Sequence, residues 1–173
     1  VECDSSYSIS QSYIEDTCIL CTRFTNGLNS FELLDFMPRF KKDDGIFYSP
    51  PEIVRVFKHI KGKPVFRILY DPRLEYSIGE TKHYIKENFL VSIVDDKHYD
   101  TLFLYTDFEK EKVLSNSEIQ LDKDHFVTVS YNEKINVPNL NQTLFEFERT
   151  KVYWLNWCYK TPTFSNYNRE ILR

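Results

Sequence analysis

The chain has 173 residues, 42% hydrophobic and 16% aromatic, with 22 basic against 26 acidic side chains and a formal net charge of -4. That is enough for one domain with a sizeable core, and the mild acidity, with no basic run longer than a pair, gives no electrostatic footing for a nucleic acid or an anionic membrane. No apolar stretch approaches the roughly 20 residues that a membrane-spanning helix needs.

Val1 is not an initiator methionine and no basic-then-apolar leader precedes it, so a processed or missing natural N-terminus is expected. The four cysteines Cys3, Cys18, Cys21 and Cys158 do not form the pattern of a disulfide framework, which points to a reducing compartment and a cytoplasmic location.

In chain order, period-2 alternation predicts strands over 17–25, 30–38, 52–62, 63–76, 83–94, 100–108 and 125–135. The segments between them, such as 41–45, 94–100 and 115–118, supply the Gly, Asn and Asp that turns need, and Asp95-Asp96 reads as one such turn. Short, closely spaced strands with no helical pattern between them predict an all-β fold, an antiparallel sandwich. The first run contains Cys18 and Cys21 as a CxxC. Read as strand, it points the two thiols to opposite faces, so ordinary buried or half-buried cysteines are expected. His59, His83, His98 and His125 are isolated and no second CxxC exists, so neither metal nor cofactor is expected.

After Pro138 the period changes. Leu140, Leu144, Phe147, Lys151, Trp154 and Cys158 recur at helical spacing, and Asn139 with Gln142 three residues later forms a start signal. A helix of about five turns is predicted, ending near Thr161-Pro162, because proline disfavours helix in the residue before it. A second helix then opens at Ser165 or Asn166 and runs for about a turn before Arg173.

Three stretches carry a family resemblance. The segment 27–40, in which a strand runs into Asp35-Phe36-Met37-Pro38, resembles glycoside hydrolase family 15, the glucoamylase and trehalase type. The segment 52–77, an Arg-containing strand, a Gly turn and then Pro72-Arg73-x-x-Tyr76, is similar to that family's next hairpin. The stretch 150–173, with Thr150-x-x-x-Trp154-x-x-Trp157 on a helix and an Arg-containing helix start, resembles the family's junction between domains. The resemblance implies an antiparallel supersandwich of two packed sheets over 1–138. Residues 139–173 would be the linker helix and the start of a helical-barrel catalytic domain, which lies outside this sequence. It also implies that the parent enzyme acts in carbohydrate metabolism and inverts at an α-glucosidic carbon, with two barrel glutamates as acid and base. The chain departs from the family before residue 11, where no Gly-Ser-Ile-Asp-Trp type segment is found.

No catalytic residue carries over onto this chain. Glu32 reads as an outward strand position. Asp35 and Arg39 read as an ion pair that stabilises the turn at Pro38, or, if that loop faces the barrel mouth, Arg39 becomes a substrate-binding candidate. Tyr153, Trp154 and Trp157, with Tyr159, form an aromatic stripe at helical spacing. The first three are expected at the domain interface, Trp154 in the sandwich core and Trp157 toward the barrel, with self-association as one consequence of leaving that face uncovered. The expected partners are therefore the barrel of the same polypeptide and, through it, an α-glucoside. The alternative is a stand-alone carbohydrate-binding or structural β-sandwich module, because aromatic rings also stack on sugars.

Overall fold

A computed structural model describes residues 1–94 and 100–160. In chain order its strands are β1 (Ser8–Tyr13), β2 (Leu20–Thr25), β3 (Ser30–Phe36), β4 (Phe40–Lys41), β5 (Phe47–Tyr48), β6 (Glu52–Lys61), β7 (Val65–Arg67), β8 (Thr81–Ile85), β9 (Leu90–Val94), β10 (Thr101–Thr106), β11 (Glu118–Gln120) and β12 (His125–Tyr131). A short helix, α1 (Lys110–Leu114), precedes β11, and the long helix α2 (Leu140–Lys160) follows β12.

Eight strands form one antiparallel sheet in the order β1-β2-β3-β6-β12-β10-β9-β8, and two-stranded sheets pair β7 with β11 and β4 with β5. The large sheet is made of two meanders, β1-β2-β3-β6 and β8-β9-β10, joined when β12 inserts between β6 and β10. Alternation along β3 and β6 assigns the two faces. Phe31 and Leu33 share one face with Phe57, while Leu34 and Phe36 share the other with Val54 and Val56.

The first face carries the larger core. Phe24 stacks on Phe31, Phe31 on Phe66 and Phe66 on Phe57, with centroids 4.6, 5.1 and 5.2 Å apart. Phe66, Ile68, Val113, Ile119 and Leu121 bring the β7–β11 pair and α1 into that core. On the second face Ile19, Leu34, Phe36, Val54 and Val56 are buried together with Phe147 of α2. The faces are thus covered by a small strand pair and a helix, and the described residues hold one large sheet. None of their helices is long and apolar enough to cross a membrane.

Helix α2 starts where the sequence places it. Asn139 Oδ1 accepts from Gln142 N at 3.0 Å and Gln142 Oε1 accepts from Asn139 N at 3.2 Å, a reciprocal capping box. Its buried positions are Thr143, Phe147 and Thr150. Trp154 is half-buried and belongs to neither core cluster, which corrects its expected place in the sandwich core. The predicted helix end at Thr161-Pro162 and restart at Ser165 or Asn166, and the turn at Asp95-Asp96, lie outside the described residues.

Three strand expectations are corrected. Only Val65–Arg67 of 63–76 is a strand. Pro64 and Pro72 lack donors for a ladder, and beyond Arg67 the chain leaves the ladder, Tyr70 N bonding instead to the side chain of Asn116 at 3.2 Å. The run 83–94 is a hairpin, because Lys86 N donates to Phe89 O at 2.8 Å and folds the chain across Glu87-Asn88. Cys18 lies in the bend before β2 and is exposed, whereas Cys21 is within β2, so strand alternation does not relate the two thiols.

Candidate functional site

The structure concentrates its unusual side chains where the β4–β5 hairpin leans on α2. The chain leaves β3 at Phe36, turns through Met37-Pro38 and reaches α2 at Arg39. There Arg39 N donates to Thr150 Oγ1 at 3.2 Å, and Arg39 Nε donates to the Tyr153 hydroxyl at 3.0 Å. The expected Asp35–Arg39 ion pair is therefore not formed. Asp35 lies within the ladder, opposite Arg55, and is gripped by that guanidinium through Nε–Oδ1 and Nη2–Oδ2 contacts of 2.6 and 2.9 Å. An extended strand points the Asp35 side chain at its cross-strand neighbour, and four residues later the chain has already turned toward the helix. Glu32 is likewise paired across the sheet, accepting from Arg23 Nε at 2.8 Å.

Arg39, Tyr153, Trp154 and Trp157 come together at one site. Trp154 meets Tyr153 edge-on with centroids 5.2 Å apart, Trp157 lies tilted to Tyr153 at 6.4 Å, and Phe47 of β5 meets Tyr153 edge-on at 6.1 Å. Arg149 fastens the hairpin to the helix, donating to Lys41 O at 2.8 Å with its guanidinium 4.1 Å from the Phe40 ring centre. Between these elements runs a groove of about 770 Å³ lined by Phe47, Phe145, Val152, Tyr153 and Trp157. Trp157 is 52% exposed, and Phe145, Val152 and Leu155 are exposed on the same helix. A surface helix needs only one apolar face, and α2 has two.

Toward the N-terminal end of α2 a second cleft, about 880 Å³, opens among Tyr48, Glu52, Glu133, Glu146 and Arg149. Glu52 is the first residue of β6 and shares its face with Val54 and Val56, which places a carboxyl on an apolar surface where it is 2% exposed. Burial, and then the negative charges of Glu146 and Glu133, push the Glu52 carboxyl up to about 7. Burial also raises Glu146, with Arg149 opposing it. The Tyr48 phenol is raised by burial and by the Glu52 and Glu146 carboxylates, so it stays protonated and donates to Glu52 Oε1 at 3.5 Å. Sequence reasoning missed this cleft. Its one legible signal was Glu52 itself, which alternation assigns to the face of two valines.

Among the described residues no group of three or more His, Cys, Asp or Glu side chains is arranged to hold a metal ion. Cys158, on α2, donates from Sγ to Asp16 O at 3.4 Å. Comparison with protein-family models, curated proteins and solved structures finds no match to this chain.

Proposed function

We propose that the chain is the N-terminal, non-catalytic β-domain of an inverting α-glucoside hydrolase of the glucoamylase and trehalase type, and that α2 is the element through which it supports a helical-barrel catalytic domain. The observation that carries this reading is the meeting of the three family-like stretches around one set of contacts. Asp35 of the first grips Arg55 of the second, and Arg39 of the first binds Thr150 and Tyr153 of the third. Segments that resemble one family in order, and then touch through residues within those stretches, are what a shared architecture would bring together. In this reading the eight-stranded sheet and the β7–β11 pair over one face are layers of the family's supersandwich. The exposed apolar side of α2 is what the barrel covers, and the α-glucoside is met by the barrel.

The reading frame downstream of Arg173 tests it directly. Expression of the chain with its downstream coding sequence should release glucose from maltose, soluble starch or trehalose, while residues 1–173 alone release none. A stop codon directly after Arg173, or glucose release at enzyme-like rates by the 173-residue chain, sinks the proposal.

A second reading, a stand-alone carbohydrate-binding module, is favoured by the exposure of Trp157 beside Tyr153 and Phe47. It predicts a saturable change in tryptophan fluorescence with maltotriose that Trp157→Ala abolishes. The docking reading predicts no such change.

A further inference from the structure

The eight-stranded sheet ends at β1 on one side and at β8 on the other. A terminal strand presents a row of backbone N–H and C=O groups without partners, and proteins ordinarily blunt such an edge with a charge, a proline, a bulge or a covering element. β8 follows that rule, with Lys82 inside the strand and Glu80 and Lys86 at its ends. β1 does not. Its six residues, Ser8-Ile9-Ser10-Gln11-Ser12-Tyr13, include no charge, proline or glycine, every one of them is exposed, and their register with β2 is unbroken.

An antiparallel ladder is bonded at alternate pairs. Ile14 N donates to Ile19 O at 2.9 Å, so along the same register the bonded pairs are Ser12 with Cys21, Ser10 with Arg23 and Ser8 with Thr25. The N–H and C=O groups of Ile9, Gln11 and Tyr13 therefore point away from β2, and among the described residues no hydrogen bond reaches them.

This outward edge is complementary to a second copy of itself. About a two-fold axis at Gln11, an antiparallel copy sets Gln11 opposite its own counterpart, Ile9 opposite Tyr13 of the second copy, and Tyr13 opposite Ile9. Each is a bonded pair that exchanges both N–H···O=C bonds, so every outward group of β1 finds a partner. A shift of one residue turns outward groups against inward ones, and a shift of two carries one end of each strand past the limits of β1. The side chains agree with the register. Ile9 and Tyr13, both exposed on one side of the sheet, come face to face as a β-branched and aromatic pair, and on the other side Ser10 meets Ser12. No like charges are opposed anywhere along the six residues.

We propose that the chain self-associates through β1, two copies joining their sheets edge to edge across an antiparallel β1–β1 pair centred on Gln11. Contact between two six-residue strands falls short of the roughly 1,200 Å² of a stable interface, so the dimer is weak and depends on concentration.

Sedimentation velocity of the 173-residue chain from micromolar to millimolar concentration tests this. A reversible monomer–dimer equilibrium is expected. Gln11→Lys opposes two ammonium groups at the axis and should weaken dimerisation at least tenfold, as should Gln11→Glu, whereas an equimolar mixture of the two variants recovers it. Unchanged far-ultraviolet circular dichroism shows that both variants fold. Register is read by Gln11→Cys, whose Cα would lie about 5.5 Å from its counterpart, within disulfide reach. On oxidation with copper phenanthroline it should link to itself while Ser8→Cys does not, mass spectrometry of the joined peptides separating this link from any through the natural cysteines. A chain that stays monomeric throughout, a dimer that both charge variants leave intact, as association through the exposed side of α2 would be, or Ser8→Cys linking as readily as Gln11→Cys overturns the proposal. None of these outcomes depends on whether the domain belongs to a hydrolase.

Discussion

Across the β3–β6 pair, the Arg55 guanidinium holds both oxygens of the Asp35 carboxylate, with Nε–Oδ1 at 2.6 Å and Nη2–Oδ2 at 2.9 Å. The two side chains are 36% and 19% exposed, so the pair is half-shielded by the same face that buries Phe31, Leu33 and Phe57. A two-point contact in that setting is stronger than a surface ion pair. Arg55→Lys keeps the charge but loses the fork and should cost about 1 kcal/mol, while Arg55→Ala, which strands the Asp35 carboxylate, should cost about 2 kcal/mol or more. Urea melts of both variants check this, and equal losses for Lys and Ala would show that the fork geometry contributes nothing.

Gly62 closes the loop after β6 in a conformation that L side chains avoid, with φ +73°. A Cβ there would lie 2.3 Å from Asn29 Oδ1 and 2.6 Å from Leu28 O. Asn29 cannot give way without breaking the bond that its Oδ1 accepts from Lys63 N at 2.8 Å. Gly62→Ala should therefore cost roughly 2–3 kcal/mol, well above the effect of Gly27→Ala, whose Cβ meets nothing within 4 Å although its φ is also positive. Comparable melting temperatures for the two variants would remove the clash from the explanation.

What was legible in the sequence divides by range of interaction. The start of α2 was legible because Asn139 and Gln142 satisfy each other within one turn, and β3 and β6 were legible because period-2 burial is written in their own residues. The insertion of β12 between β6 and β10 was not. Pairing of strands so far apart leaves no mark on local pattern, and all the strands of a two-faced sheet look alike. The partner of Asp35 was misassigned for the same reason, since Arg39 is near in sequence and Arg55 is near in space. The aromatic site was half legible. Tyr153, Trp154 and Trp157 declared themselves by spacing, but Phe47 is presented by a hairpin of two-residue strands with too few alternations to read. Glu52 was readable from alternation alone, which assigns it to the face of Val54 and Val56.

The two sides of α2 should respond differently to truncation. Phe147 is buried against Phe36 at 5.7 Å, so Phe147→Ala should cost about 3 kcal/mol in the chain alone. Trp154 is half-buried against Tyr153 and should cost about 1–2 kcal/mol on truncation. Trp157→Ala should cost less than about 1 kcal/mol in the chain alone, because half the side chain already faces water. In a longer protein that includes a helical domain, the same variant should lower stability or weaken assembly by more than it does alone. Denaturant melts of the three variants in both contexts decide the matter, and an unchanged Trp157→Ala effect between contexts would count against a second partner for α2.

The stability of the chain should fall between pH 5 and pH 8, and Glu52 should be the main cause. Its carboxyl is held at about 7 in the fold, first by burial and then by Glu146 and Glu133, against 4.5 when unfolded. Between those values the folded chain binds more protons than the unfolded one, so unfolding becomes easier as pH rises. The favourable term is fully present below pH 4.5 and is lost as pH climbs through about 7. Glu146 acts in the same direction, its carboxyl also raised by burial and only partly relieved by Arg149. Glu52→Gln keeps the shape and removes the titration, so at pH 8 it should be more stable than the wild type by roughly 2 kcal/mol, and at pH 4 nearly equal to it. The difference between the two melting curves isolates this carboxyl from every other group that titrates in the same range. Parallel curves from pH 4 to pH 8 would mean that Glu52 ionises freely in the fold, and the buried acid at the head of β6 would then be an ordinary solvated side chain.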